Sequence, residues 1–413
     1  MYYTLEEVEM ESWKILEGGL DNVSGFSSYG VHCGIKKGKN DLAAILSDTP
    51  AAAAGVFTQN RVSAAPVLVT REHLLKERKL QLVVANSGVA NACTGERGIE
   101  DARKVADLAA RYFKVDHRLV AVASTGVIGE FLPLTKIEKG IEELSQLLPV
   151  KKSSREATKA IMTTDTFPKE RALSFSWEGK TVHLGGIAKG SGMIKPNLAT
   201  MLSFIVTDLG IDALVLDQVL KEAVNQSFNR VTVDGDTSTN DMVLILANGK
   251  SGVEVKKSND PVFSIFREAL FWLTQELARD LARDGEGATK FVEIIVRGAR
   301  TKEEAQKGAF TVAESPLVKT ALFGEDPNWG RIMAALGRSG IEMIPDKVSL
   351  EVNGVTLVEG GMKAKGVERE EAQEAMKKKE LKIIVDLGIG EGEFEVWTCD
   401  LSLEYVRINS HYS

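Results

Sequence analysis

The sequence predicts a mixed α/β fold. Short runs rich in branched side chains, bounded by Gly or Asn, recur along the whole chain, and stretches with apolar residues at helical spacing lie between them. No internal repeat or low-complexity block breaks this alternation. In chain order, residues 80–85, 119–123, 201–206, 242–246, 292–296 and 383–385 read as buried or half-buried strands, because branched side chains pack well on a pleated surface. Ile137, Ile141, Leu144 and Leu148 fall on one helical face, and Thr135 with Glu138 has the spacing of a capping box. A second helix is expected from Asp260-Pro261, since proline suits the first helical turn, with Phe266, Leu270, Leu273, Leu277 and Leu281 facing inward and an end before Gly285-Glu286-Gly287. The tail over 393–409 alternates Phe394, Val396 and Thr398 with Glu395, Trp397 and Cys399, and reads as late strands of an antiparallel sheet.

The length of 413 residues exceeds the roughly 250–300 at which one core stops growing, so about two or three packed units are expected. No Pro/Gly/Ser-rich linker marks a boundary between them. A net charge of −7 leaves no basic excess to neutralise a phosphate backbone, which argues against nucleic acid as a partner. Cys33, Cys93 and Cys399 are too scattered for a disulfide framework and show no zinc spacing, as in a reducing cytoplasm. The five histidines stand alone, so no metal is expected. The acidic, interrupted N-terminal stretch lacks the basic start and apolar run of a signal peptide, and nowhere do about 18 apolar residues follow one another. A cytoplasmic enzyme acting on small molecules, without membrane attachment, is the expectation.

The densest punctuation is central. From Gly185 the chain runs GGIAKGSGMIKPNLATMLSFIVTD, which reads as a glycine-rich, lysine-bearing loop through Asn197 with Thr200 opening an apolar strand. The commonest account of such a threonine is a branched residue at a strand start after a proline turn. A second account is chemical. A threonine hydroxyl is a weak nucleophile without an adjoining base, and its own α-amine serves once the preceding peptide bond is cut. That amine titrates at about 7.7–8, close to working pH. Thr200 Oγ would attack the carbonyl of Ala199, whose small side chain leaves the carbonyl open, and water would resolve the ester.

The residues around Thr200 match a known pattern. With GVHCGIKKGKNDLAAILSD (30–48), AAAAGVFTQNRVSAAPV (51–67), NSGVANACTG (86–95), STGVIGEFLP (124–133), IMTTDTFPK (161–169), KGSGMIKPNLATML (189–202), VDGDTSTND (233–241), SPLVKTALFGEDPNWGRI (315–332) and VRIN (406–409) in this order, the chain strongly resembles the glutamate N-acetyltransferase/ornithine acetyltransferase family of arginine biosynthesis. The resemblance implies self-cleavage between Ala199 and Thr200 into an α chain (1–199) and a β chain (200–413), assembled as a heterotetramer of two of each. It implies two sheets flanked by helices, similar to the αββα architecture of N-terminal-nucleophile enzymes with different connectivity. It also implies ping-pong transfer of acetyl from N2-acetylornithine to glutamate with Thr200 as nucleophile, no required cofactor, and acetyl-CoA as a further donor in some members.

By the same resemblance, Thr125 and Gly126 stabilise the oxyanion, a role that a hydroxyl and an open backbone N–H suit. Without it, Ser124-Thr125-Gly126 is a strand end turned by glycine. Thr163, Lys189, Glu286 and Asn409 match substrate-binding positions. A lysine pairs with a substrate carboxylate and depresses the pKa of a neighbouring amine, whereas the ordinary lysine is an exposed loop residue. Thr163 would otherwise be a cap or turn, and Glu286 a solvated loop carboxylate. Family members carry a hydroxyl residue five places beyond the asparagine, whereas Ser413 stands four beyond Asn409. Ser413 is carried over from that shifted position.

The nearest rival is an aspartate-nucleophile phosphohydrolase, with Asp234 attacking and Asp234 and Asp236 holding Mg²⁺ after the apolar Val231 and Val233. It lacks a distinct downstream lysine and acidic motif. Gly388-Ile389-Gly390-Glu391-Gly392 has its third glycine misplaced for a dinucleotide fingerprint, and KGSGMIK does not satisfy a P-loop. A non-catalytic assembly protein is disfavoured by the many glycine-flanked polar motifs.

Overall fold

The structure is a computed structural model that describes residues 13–195 and 201–411. It divides into two compact units. The first takes the described residues up to Gly190 with 201–229 and 237–278, and the second takes 191–195, 230–236 and 279–411. The chain passes between the units several times through short segments, which is why no linker composition announces a boundary.

The first unit holds a nine-stranded sheet and a two-stranded one. Its strands are β1 (Lys14–Leu16), β2 (Phe26–Val31), β3 (Leu42–Phe57), β4 (Lys79–Val89), β5 (Val120–Val127), β6 (Lys169–Trp177), β7 (Lys180–Lys189), β8 (Leu202–Thr207), β9 (Gly210–Ile211), β10 (Met242–Ala247) and β11 (Glu254–Val255). The large sheet runs β1-β6-β7-β8-β10-β3-β4-β5, with β2 also on β3. Within it β8/β10 and β4/β5 are parallel and the other pairs antiparallel. Its helices are α1 (Ala65–Glu77), α2 (Gly95–Phe113), α3 (Leu134–Leu147), α4 (Ser154–Ile161), α5 (Ala213–Asn225) and most of α6 (Pro261–Arg283).

Both faces of this sheet are covered. Leu42, Leu82, Val84, Val120 and Val122 pack with α2 and α3 in one core. Ile45, Val83, Ala85, Phe204 and Leu244 pack with Ala157, Ala160 and Ile161 of α4 in another. Alternate residues of one strand therefore enter different cores, and a strand buried on both faces reads as a continuous apolar run. The expected strands at 80–85, 119–123, 201–206 and 242–246 all fall on observed ones.

Two local expectations differ from the structure. Gly185 and Gly186 lie inside β7, paired with both β6 and β8, and not in a loop. Their glycines serve close packing: a Cβ on Gly185 would stand 2.4 Å from the carbonyl oxygen of Gly19, and one on Gly186 would stand 2.8 Å from Leu273 Cδ2. The helix carrying Ile137, Ile141 and Leu144 forms, but Thr135 and Glu138 make no capping box; Pro133 precedes its first turn without a side-chain cap, and Glu138 binds the Arg111 guanidinium at 2.7 Å.

In the second unit, β12 (Phe291–Ala299), β13 (Ser349–Val352), β14 (Val355–Glu359), β15 (Met362–Lys363), β16 (Glu380–Asp386) and β17 (Gly392–Cys399) form a six-stranded sheet in the order β15-β14-β13-β16-β12-β17. Its helices are α7 (Lys302–Ala313), α8 (Pro316–Phe323), α9 (Trp329–Gly337), α10 (Arg369–Lys377) and α11 (Leu403–Asn409). Val292, Ile294, Ile383, Val385, Phe394 and Val396 pack against Ala309, Val312, Leu336 and Met376 in its core. The tail is half as expected. β17 pairs antiparallel with β12, but 403–409 is helical, begun by Ser402, whose Oγ accepts the Glu404 N–H. Among the described residues no helix is long and apolar enough to cross a membrane.

Candidate active site

In the first unit a lysine sits where lysines seldom do. Lys189 ends β7, a strand flanked on both sides in the sheet, and is 1% exposed. Its ammonium donates to Thr163 Oγ1 at 2.9 Å and to Thr125 Oγ1 at 3.2 Å. Three residues that the sequence singles out, from β5, from the loop after α4 and from β7, thus meet at one buried point. The exposed-loop reading of Lys189 is overturned.

Asp165, which the sequence does not single out, organises this point. Its Oδ1 accepts from Lys169 Nζ and from the Gly190 N–H, each at 2.7 Å, and its Oδ2 accepts the Thr163 N–H at 3.0 Å. Antiparallel pairing of Lys169 with Ala188 brings the two ends together. Burial alone would push this carboxyl up, but Lys169, Lys189 and the hydrogen bonds outweigh it and hold Asp165 well below the usual carboxylate range. Lys36, also not singled out, donates to the Met162 carbonyl at 2.8 Å; burial, helped by the charges of Lys39 and Lys189, lowers it to about 8 against the opposing pull of Asp41.

Thr125 and Gly126 lie within β5, which continues to Val127 and does not turn at the glycine. Gly126 has φ +133°, and a Cβ there would stand 2.3 Å from the Gly88 carbonyl carbon of β4. Close approach of two parallel strands, at a register shift beside Gly88 and Val89, therefore demands the glycine. Just before Thr125, the Ser124 carbonyl accepts from Asn240 Nδ2 at 2.8 Å.

Ala199, Thr200 and Ser413 lie outside the described residues. The next residue after Thr200 is held by both its backbone groups: the Met201 N–H donates to Asp241 Oδ1 at 2.9 Å, and the Met201 carbonyl accepts from the Met242 N–H at 3.2 Å. Asp241 is fully buried, and burial pushes its carboxyl well above the ordinary range.

In the second unit Glu286 is 8% exposed, so it is no solvated loop residue. Its N–H donates to the Ser191 carbonyl at 2.8 Å, and its Oε2 accepts from Asn409 Nδ2, on α11, at 2.7 Å. Two further residues from the sequence reading are thereby joined. Asp234 is occupied otherwise: its carboxylate accepts the N–H groups of Met193 at 2.6 Å and Ile194 at 2.9 Å, and the Tyr405 hydroxyl at 3.3 Å, while Asp236 is exposed. Among the described residues no group of three or more His, Cys, Asp or Glu is arranged to hold a metal. An Asp234 that organises a turn is a poor covalent nucleophile.

The buried Lys189 ammonium thus bridges two hydroxyls on a mixed α/β scaffold, and the relatives of the chain make it an enzyme rather than an assembly protein. The ArgJ family model matches residues 27–413, and the chain belongs to the ArgJ family. It is 47% identical to the "Arginine biosynthesis bifunctional protein ArgJ" of Geobacillus kaustophilus over 96% of this chain and 97% of that one. It is 46% identical to the "Glutamate N-acetyltransferase" of Methanocaldococcus jannaschii, over 97% of this chain and all of the relative, 100%. Among solved structures, an ornithine acetyltransferase complexed with ornithine from Mycobacterium tuberculosis is 40% identical, covering 45% of this chain and 98% of that chain with a TM-score of 0.41.

Proposed function

We propose that the protein moves the acetyl group of N2-acetylornithine to glutamate through Thr200, after freeing that residue's α-amine by cutting its own Ala199–Thr200 bond. The observation that supports this best is the buried Lys189 ammonium bonded to both Thr125 and Thr163, at the first residue of the motif (189–202) that carries Thr200. In self-cleavage, Thr200 Oγ adds to the Ala199 carbonyl carbon, the C–N bond breaks to give an ester and a free amine, and water hydrolyses the ester to the Ala199 carboxylate.

In transfer, the α-amine takes the Thr200 hydroxyl proton as Oγ attacks the acetyl carbonyl. The Thr125 hydroxyl and the Gly126 N–H donate to the oxyanion. The C–N bond to ornithine then breaks, the departing amine takes the proton, and acetyl remains on Oγ. Glutamate's amine attacks this ester, gives N-acetylglutamate and restores the hydroxyl. The Lys189 cation opposes protonation of a nearby amine and attracts a substrate carboxylate, with the Thr163 hydroxyl beside it. Glu286 and Asn409, with Ser413, supply the substrate-binding carboxylate, amide and hydroxyl that the family pattern assigns. No cofactor is needed for this exchange, and acetyl-CoA would enter as an alternative donor at the acylation step. The α and β chains would form a heterotetramer in the cytoplasm.

Mass analysis of the purified protein tests this. Two fragments meeting at 199 and 200 are expected, with one intact and inactive chain for Thr200→Ala. A single full-length wild-type chain that transfers acetyl would overturn self-processing. Mg²⁺-dependent phosphate release lost in Asp234→Asn would instead revive the phosphohydrolase reading.

A further inference from the structure

The segment after the Asp234 turn, Thr237 to Asp241, carries no role in the mechanism above, yet it is tied down at every residue. The Thr237 carbonyl accepts from Asn60 Nδ2 at 2.9 Å, the Ser238 carbonyl from Thr58 Oγ1 at 2.7 Å, the Thr239 carbonyl from the Ala64 N–H at 2.9 Å and the Asp241 carbonyl from the Thr58 N–H at 3.1 Å. The segment is thus a fixed platform. From it two adjacent side chains reach the backbone beside Thr125 and the backbone of Met201. Asn240 Nδ2 donates to the Ser124 carbonyl, one residue before Thr125, and to the Ala90 carbonyl at 2.7 Å. Asp241 Oδ1 accepts the N–H of Met201, the amide nitrogen bonded to the Thr200 carbonyl carbon.

We propose that Asn240 and Asp241 are positioning residues for acyl transfer, one setting the strand that carries Thr125 and the other setting the amide next to Thr200. The proposal rests on the reading of Thr200 as nucleophile. Parallel pairing of Met242 with Leu202 already aligns β10 and β8, so a carboxyl is not required to bring these strands together. What packing does not account for is the polar side chain itself. Asp241 is fully buried, and a carboxyl is costly enough to bury that folded proteins seldom keep one there without a use. Burial pushes this carboxyl well above its ordinary range, toward the neutral acid. Asparagine reproduces such a neutral acid, with the same acceptor for Met201.

The test compares Asp241→Ala, Asp241→Asn, Asn240→Ala and Thr200→Ala as full chains, with cleavage followed by mass and kcat and KM measured on the cleaved fraction. Displacing a reacting group by about 1 Å lowers rate by about 100-fold. Asp241→Ala should therefore lose kcat on that scale, with KM for acetylornithine within about twofold of wild type, and Asn240→Ala should lose kcat in the same sense. Asp241→Asn should restore kcat to near the wild-type value. Wild-type kcat in Asp241→Ala overturns the proposal, as does an Asp241→Asn protein as impaired as the alanine variant. If Asp241→Ala does not fold, Asp241→Asn and Asn240→Ala decide by the same criteria. An uncut but active Thr200→Ala protein overturns the nucleophile reading and this proposal with it. An inactive Thr200→Ala protein beside a fully active Asp241→Ala protein overturns this proposal alone.

Discussion

Asp165 carries more of the first unit's polar centre than any residue legible in the sequence. Lys169 and Asp165 are both fully buried, and removing one partner of such a pair leaves an uncompensated charge, at about 3–5 kcal/mol. Asp165→Asn should destabilise the protein on that scale at pH 7, measured by urea unfolding. The pH dependence follows from the depressed carboxyl. Its contribution is present above the unfolded-state value near 3.8 and is lost as pH falls through the lower folded-state value, so the gap between wild type and variant should narrow on acidification. Equal stabilities at pH 7 would show that the pair does not hold the centre. Lys189, Thr125 and Thr163 were legible because a family pattern names them. Asp165, Lys36 and Asp241 were not, because their roles depend on tertiary folding that brings residues 25 to 126 positions apart into hydrogen-bond range.

Elements were legible where burial is simple. Strands β4, β5, β8 and β10 are apolar on both faces, and α6 buries Phe266, Leu270, Leu273, Leu277 and Leu281 along one stripe, so each pattern has one reading. The tail misled because the alternation of β17 stops at Cys399, while α11 exposes Leu403 and Val406 and so has no inward stripe to read. Gly185 and Gly186 misled because glycine marks both loops and tightly packed strands. Gly126 permits a test of how tightly β4 and β5 approach. Gly126→Ala must move Gly88 as well as adopt a strained φ, whereas Gly129, at φ +92°, has nothing within 4 Å of a built Cβ. Gly126→Ala should cost about 1–3 kcal/mol of stability from strain alone, and more with the displaced strand, and should lower acetyl transfer. Gly129→Ala carries only the strain. Equal thermal shifts in the two variants would rule out the close strand contact as the source.

For the whole molecule, the length predicted two or three packed units, and two are present. Their composition in sequence was hidden, since 191–195 and 230–236 belong with the C-terminal portion while their neighbours do not. This interleaving bears on the proposed cut. In the nine-stranded sheet β7 pairs with β8 from Leu184↔Thr207 to Lys189↔Leu202, and β10 pairs with β3 from Met242↔Phe57 to Ala247↔Ala52. Two strands that follow residue 199 thus lie between strands that precede it. Cutting one peptide bond leaves all these ladder bonds intact, so the fragments should co-elute in non-denaturing buffer and unfold together. Expressed alone, residues 1–199 would present the edges of β7 and β3 where β8 and β10 belong, two long unpaired strands of the kind that associate with other chains. That fragment should aggregate and recover only when refolded with 200–413. A soluble, monomeric 1–199 fragment, or cleaved fragments that separate on a sizing column, would mean that the central strands do not hold the halves together, and that cleavage would release rather than activate the nucleophile-bearing chain.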